Sequence, residues 1–152
     1  MNTLQLKSVK EIEFEISQEF EIFDSWMDRY EYIIDLGKQL DSFPDEWKIE
    51  ENKVHGCQSQ VWFKTELKND LFICQAISDS AIVSGLIALL LKIYNQKDPS
   101  DIVSTNPTFV SMIGLDEHLS PTRSNGLNVM LKKIKNDARK MILNQQHKTD
   151  MN

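Results

Sequence analysis

The amino-acid sequence predicts an α+β domain in which helices pack against a small, three-stranded antiparallel sheet. Towards both ends of the chain, apolar residues recur every three or four positions, which is typical of amphipathic helices. Between Trp47 and Asp79 the spacing becomes extended, with clusters of β-favouring residues. The 152 residues suit one compact domain without an internal linker, so we expect residues 1–152 to form a single domain.

The first helix is predicted from apolar residues that share one helical face between Leu6 and Phe23. A strand is the alternative, because residues 11–16 alternate strictly between acidic and apolar side chains. That alternation ends at Ser17, whereas the helical spacing continues, so a helix is favoured. A second helix follows, capped by Asp24 or Ser25 and running to about residue 40.

Three short strands are predicted around Val54, residues 61–63 and residues 71–73. Residues 68–70 provide a hairpin turn between the second and third strands. The chain must also turn between the first and second strands. This turn places Cys57 at the tip of a loop.

Two further long helices complete the predicted fold. Residues 81–94, capped by Asp79 or Ser80, are apolar almost all round, so this helix should form the centre of the core. Short helices or turns follow up to Leu119. A closing helix is predicted from about Asn125 to residue 145, followed by a polar tail, from about residue 146, that frays.

Composition argues against several classes of function. Seventeen basic and twenty-three acidic residues give a net charge of −6, which weakens attraction to nucleic-acid phosphates. The N-terminus lacks the pattern of a secretory signal, and the longest apolar stretch is shorter than the roughly 20 residues of a membrane span. Two cysteines, which we expect to be reduced, suit an intracellular chain. We therefore expect a cytoplasmic protein that binds neither nucleic acid nor membranes.

Cys57 is the candidate reactive residue, because a partner can reach a thiol at a loop tip. A free thiol with a pKa of about 8.5 is only a few per cent thiolate at neutral pH, so local activation would help. Gly56 allows the backbone to turn and another surface to approach, while Gln58 and Ser59 offer polar groups beside the sulfur. The alternative is an ordinary buried cysteine.

Three other side chains are weaker candidates. His55 can lower the pKa of the thiol when protonated, but an ordinary surface histidine is favoured. Arg123 can stabilise a thiolate or persulfide, or pair with carboxylates on a neighbouring helix, and the second interpretation is favoured. Cys74 lies in a predicted strand and should pack in the core, although a disulfide with Cys57 stays open.

Four segments resemble the SufE family of cysteine-desulfuration proteins, in the same order along the chain. One of them, residues 52–63 (NKVHGCQSQVWF), looks like the family's active-cysteine segment. The others are residues 26–37, 78–90 and 113–127. Together the resemblance spans roughly residues 20–138.

The resemblance implies a fold similar to SufE and IscU-type proteins and a role as a sulfur acceptor. The family's acceptor cysteine corresponds to Cys57. This residue would take persulfide sulfur from a SufS-like, pyridoxal-phosphate-dependent cysteine desulfurase, stimulate that enzyme, and pass the sulfur to a SufBCD-like cluster scaffold. Pyridoxal phosphate would belong to the desulfurase, and no cofactor or metal is expected on this chain. It would be a transpersulfidation partner, not a stand-alone enzyme, and a monomer or weak homodimer.

Two other functions stay open from the sequence. A cysteine hydrolase would use Cys57 with His55 or His118 as the base, but no convincing triad is present. An IscU-type cluster or metal scaffold would use Cys57, Cys74 and a histidine, yet such sites usually need about four ligands. Sulfur transfer is therefore favoured.

Overall fold

A computed structural model describes residues 6–151, and this part of the chain has the expected α+β architecture. Two short 3-10 helices, Asp45–Trp47 and Glu50–Asn52, precede a hairpin of two strands. The other elements, in chain order, are α1 (Val9–Phe20), α2 (Trp26–Gly37), β1 (Val61–Lys68), β2 (Leu71–Ser78), α3 (Ala81–Tyr94), α4 (Pro99–Ser104), α5 (Phe109–Met112), α6 (Leu115–His118) and α7 (Pro121–Met151).

The prediction of three strands is wrong, because the described residues form a sheet of two strands, β1 and β2. The segment around Val54 contributes only one isolated bridge, between Lys53 and Trp62, and one hydrogen bond from the Val54 N–H to the Val61 carbonyl (2.9 Å). Two residues later, Gly56 adopts a φ of +97°, which turns the chain away before a ladder can form.

The hairpin turn lies where the sequence predicts it. Asn69 and Asp70 both have positive φ, 54° and 63°, as a two-residue turn between twisted strands requires. The register runs from Val61 opposite Ser78 to Lys68 opposite Leu71. The strands therefore continue for eight residues each, longer than the predicted clusters.

The first helix forms as predicted, but its buried face includes an acidic residue. Ser8 caps α1 by accepting a hydrogen bond from the Glu11 N–H. Glu13 is buried, and its carboxylate accepts hydrogen bonds from the Phe109 N–H (2.9 Å) and the Thr108 hydroxyl (3.2 Å). Burial raises the pKa of Glu13. Glu13 thus joins α1 to the start of α5.

Helix α3 is the central element, as its all-round apolar sequence predicts. It packs against both α2 and β2, and ten of its fourteen residues are buried. A Cβ atom on Gly85 would clash with the carbonyl oxygen of Ile33 in α2, and one on Gly37 would lie 2.5 Å from the Gly85 nitrogen. The α2 and α3 backbones are therefore in direct contact.

The closing helix is longer than predicted at both ends. It begins at Pro121 instead of Asn125, because proline suits the first turn of a helix, where no N–H bond is needed. It also continues to Met151, beyond the predicted end at about residue 145. Towards its start, Ser120 accepts a hydrogen bond from the Arg123 N–H (3.3 Å).

No helix in the stretch from residue 6 to residue 151 combines the length and apolar character that a membrane crossing demands.

The contact between α2 and α3 predicts the effect of adding one methyl group. Gly85→Ala should lower the free energy of unfolding by about 1–3 kcal/mol, because the new Cβ forces the two backbones apart. This loss is the net effect, after the gain of about 1 kcal/mol that alanine brings to a helix is counted. Urea unfolding measures it, with an unchanged m value showing that the unfolded state is comparable.

Gly126→Ala is the matched control in α7. Its added Cβ would have its nearest contact at 3.7 Å, an ordinary van der Waals distance. We expect unchanged or slightly higher stability. Equal stability of both alanine variants would contradict the importance of the α2–α3 contact.

Candidate functional site

The loop that carries Cys57, residues 55–60, is fixed at both ends and is here called the Cys57 loop. Val54 and Val61 on either side are buried in the core. The Gln60 N–H donates to the Asp79 carboxylate (3.0 Å), and the Asp79 N–H donates back to the Gln60 carbonyl (3.3 Å). These bonds attach the end of the loop to the turn that precedes α3.

Gly56 allows the Cys57 loop to lie flat against α7. Its φ of +97° belongs to the left-handed region, which other residues rarely adopt. An added Cβ would also lie only 3.2 Å from a methyl group of Val129. Both conformation and space therefore favour glycine before the cysteine.

The Cys57 side chain enters a small pocket between α3 and α7, called here the Cys57 pocket, with a volume of about 90 Å³. This volume exceeds the roughly 30 Å³ that one water molecule occupies in the liquid, so the pocket has room for an additional atom beside the sulfur. Its wall combines polar and aliphatic side chains, among them Gln58, Ser59, Val83, Thr122 and Arg123.

The Cys57 thiol is half-buried and has no charged partner among the side chains that the structure describes. Its Sγ lies 3.7 Å from the carbonyl oxygen of Gly126, to which the thiol donates a weak hydrogen bond. Burial alone raises the pKa of Cys57 above its ordinary value. The resting residue is therefore a protonated thiol at neutral pH. Local activation, which the sequence suggested would help, is not provided by this conformation.

His55 and Arg123, the two candidate cations, have other partners. His55 is exposed, with its Nε2 2.7 Å from a carboxylate oxygen of Glu50, which agrees with an ordinary surface histidine. Arg123 lines the pocket, but its guanidinium lies 6.0 Å from the centre of the Tyr30 ring. Among residues 6–148, whose side chains the structure describes, Arg123 forms no ion pair, so the carboxylate partner that the sequence favoured is not found there.

Cys74 packs in the core as expected. It lies in β2 with 1% of its surface exposed, and its N–H donates to the Asn95 side chain (2.9 Å). Burial, together with the charge of Asp137, raises the pKa of Cys74 to about 12. Opposite Cys74 in the hairpin, Thr65 donates a hydrogen bond to Asp137 (2.8 Å). Cys74 is therefore an inert thiol.

The two cysteines lie beside different parts of α7. Cys57 contacts Gly126, whereas Cys74 lies near Asp137, and these helix positions are about 16 Å apart at 1.5 Å per residue. Both thiols are free. A disulfide between them would need large backbone movements, since bridged Cα atoms lie within about 7 Å.

The histidine of α6 is also remote from the chemistry. His118 stacks on the indole of Trp26, with ring centres 4.6 Å apart and planes at 11°. Neither His118 nor His55 lines the Cys57 pocket. Within the part of the chain that the structure describes, no three His, Cys, Asp or Glu residues gather as possible metal ligands.

The sequence did not identify the α7 side of the pocket. Gly126, Leu127 and Met130 complete the wall around Cys57, although they lie about seventy positions away along the chain. Leu127 and Met130 have the apolar spacing of any core-facing helix. Gly126 carried a usable signal, because glycine within a helical pattern often marks a close approach.

The raised pKa of Cys74 predicts a pH-dependent contribution to stability. The folded thiol keeps its proton up to about pH 12, whereas an unfolded cysteine loses it near pH 8.5. As the pH rises above about 8.5, the free energy of unfolding therefore falls by up to about 1.4 kcal/mol per pH unit.

Cys74→Ala removes this pH-dependent contribution. The variant should nevertheless be less stable than the wild type at neutral pH, because it loses packing in the core. The stability difference between wild type and the variant should therefore shrink as the pH rises from about 7.5 to about 10. Urea unfolding at both pH values measures it. A difference that stays constant would show that Cys74 does not titrate in this way.

Known proteins resemble this chain in sequence and in fold. Residues 14–138 match the family model described as SufE, an Fe-S metabolism associated domain. An uncharacterized SufE-like protein of Rhizobium meliloti strain 1021 is 42% identical over 129 residues, covering 82% of this chain and 92% of the relative. Another, from Rhizobium etli, is 42% identical over 130 residues, covering 82% and 88%.

The fold is similar to the solution structure of a hypothetical protein from Thermus thermophilus. The TM-score is 0.72, and the match covers 87% of this chain and 96% of the other. At 18% identity, that likeness concerns the fold alone. The family model spans most of the chain and the Rhizobium proteins share its sequence closely, so the chain belongs to the SufE family, which is associated with iron-sulfur metabolism.

Proposed function

We propose that Cys57 accepts a sulfur atom as a persulfide from a pyridoxal-phosphate-dependent cysteine desulfurase and passes it to a cluster-building scaffold. Membership of the SufE family supports a role in iron-sulfur metabolism. The observation that carries the proposal is the placement of Cys57, whose thiol opens into a surface pocket with room for another atom. Cys74, the other cysteine of the sequence, is enclosed in the core.

The proposed transfer is an exchange of one sulfur atom between two cysteines. The Cys57 thiolate attacks the outer sulfur of a persulfide on the desulfurase, and a new bond forms between Sγ and that sulfur. The sulfur-sulfur bond of the donor breaks, and its electron pair leaves with the donor cysteine as a thiolate. The exchange needs no external oxidant or reductant. A second exchange of the same kind delivers the sulfur to the scaffold.

The half-buried thiol implies that the Cys57 loop moves when the partner docks. Burial raises the pKa of Cys57, so the resting residue is a poor nucleophile. Outward movement of the loop would return the sulfur to water or to groups of the desulfurase, and would lower its pKa. Gly56, the conformationally free residue beside the cysteine, provides a hinge for such movement.

After transfer, the Cys57 pocket can shelter the outer sulfur. Its volume of about 90 Å³ accepts one more atom, while its walls restrict access by other thiols. Thr122 and Arg123 in the first turn of α7 lie beside the pocket, and the start of a helix favours negative charge. These features suit a persulfide anion that must survive between donor and acceptor.

The alternative functions have less support. A cysteine hydrolase needs a base within reach of the nucleophile, and neither His55 nor His118 lines the pocket. A cluster scaffold needs several ligands close together, but Cys57 and Cys74 lie beside positions on α7 that are about 16 Å apart. We therefore favour a carrier that serves a SufS-like desulfurase and a SufBCD-like scaffold and stimulates the first of these.

Intact mass spectrometry tests the acceptor role. After incubation with cysteine and an active desulfurase, the wild-type chain should gain one sulfur, roughly 32 Da, and a reducing thiol should remove it. Cys57→Ser should gain none. Cys74→Ala is the matched control and should gain sulfur like the wild type.

Stimulation of the desulfurase provides a second readout of the same variants. Cys57→Ser should still bind the enzyme but should no longer raise its turnover, because the variant cannot remove the enzyme-bound sulfur. If the wild type gained no sulfur from a matched, active desulfurase, or if Cys57→Ser gained as much, the proposed role of Cys57 would be wrong.

A further inference from the structure

Gly126 lies in the interior of α7, where glycine is unfavourable. Its φ is not positive, so its backbone conformation does not require glycine. Glycine in such a position costs about 1 kcal/mol relative to alanine. A reason for glycine must therefore come from space around the residue, and the nearest group on that side is the sulfur of Cys57.

The space beside Gly126 is part of the Cys57 pocket. A Cβ added at this position would meet Cys57 Sγ at 3.7 Å, and among the described residues no other heavy atom lies within 4 Å apart from the helix backbone and the two adjacent residues. Such a methyl group fits against the resting thiol without strain. Packing around the resting cysteine therefore does not require glycine at position 126.

A persulfide at Cys57 needs more space than the thiol does. Its outer sulfur extends about 2.05 Å beyond Sγ, whereas non-bonded heavy atoms need about 3.5–4.0 Å between them. An outer sulfur directed towards α7 would overlap an alanine Cβ at position 126, because that Cβ lies only 3.7 Å from Sγ. With glycine, the same region stays open.

We propose that Gly126 is a positioning residue, whose missing side chain leaves the space in which the outer sulfur of the Cys57 persulfide is sheltered. The inference rests on the proposed acceptor role of Cys57 and adds a residue on α7 to it. Gly126 does not take part in the transfer itself, during which the Cys57 loop faces the desulfurase. Its effect concerns the interval between loading and delivery.

Shelter can be measured as resistance to a small thiol. In solution the thiolate of dithiothreitol attacks the outer sulfur, the sulfur-sulfur bond breaks, and the electron pair returns to Cys57 as a thiolate. The sulfur leaves as a persulfide of dithiothreitol. The rate of this reaction depends on access to the outer sulfur, which the Cys57 pocket restricts.

The experiment loads wild type, Gly126→Ala and Gly126→Ser with a desulfurase and cysteine, removes both, and follows the loss of the added sulfur in dithiothreitol by intact mass. Asn128→Ala, an exposed change two positions further along α7, is the matched control. Gly126→Ala should accept sulfur like the wild type but lose it about tenfold faster, because its methyl group excludes the outer sulfur from the pocket. Gly126→Ser, with a larger side chain, should lose it at least as fast.

Thermal unfolding separates this effect from damage to the fold. Gly126→Ala should unfold at the same or a higher temperature than the wild type, because alanine favours the helix. Equal lifetimes of the persulfide in wild type and Gly126→Ala would overturn the inference, as would failure of Gly126→Ala to accept sulfur at all. Failure of the wild type to accept sulfur would instead overturn the proposed function.

Discussion

The direct contact of the α2 and α3 backbones is the constraint on which the rest of the structure depends. Without a side chain at Gly85, α3 lies against the Ile33 carbonyl and becomes the centre of the core. The position of α3 then fixes one wall of the Cys57 pocket. The bonds between Asp79 and Gln60 attach the Cys57 loop to the start of the same helix. Gly85, which faces α2, thus helps to position the thiol.

The character of Cys57 follows from burial without a compensating charge. Reactive cysteines in enzymes usually lie beside a cation that lowers their pKa. Here His55 pairs with Glu50, Arg123 lies over Tyr30, and burial raises the pKa of the thiol. This arrangement suits a carrier that is unreactive alone and becomes a nucleophile when a partner draws out its loop. It also limits side reactions while the chain is free.

Much of this account was predictable from local patterns, and the rest depended on contacts between distant positions. The apolar run of α3 and the turn residues around Cys57 have clear local signals. The strand predicted at Val54 does not form, because Gly56 turns the chain after a single bridge and no ladder can follow. Glu13 was missed because the apolar spacing assigns the inner face to its neighbour Ile12, whereas Glu13 is held inside by the start of α5.

At the functional site, too, local features were predictable and contacts between distant positions were not. Sequence reasoning identified Cys57 and its neighbours on the loop, because turn chemistry and family resemblance are both local in the chain. It could not show that Gly126 would lie against the sulfur, since sixty-nine positions separate them. It also could not decide between partners of Arg123, because both interpretations required a spatial neighbour. The structure supplies Tyr30, a partner that neither interpretation considered.

The most direct test of the central claim, that the fold stores Cys57 as a sheltered and protonated thiol, is its alkylation by iodoacetamide as a function of pH. The Cys74→Ala chain, with a single thiol, would be compared folded and unfolded in urea. The account predicts slower alkylation of the folded chain, with a midpoint above the value of about 8.5 expected for a free cysteine. A folded midpoint below that of the unfolded chain would contradict it, because the resting site would then activate Cys57 by itself.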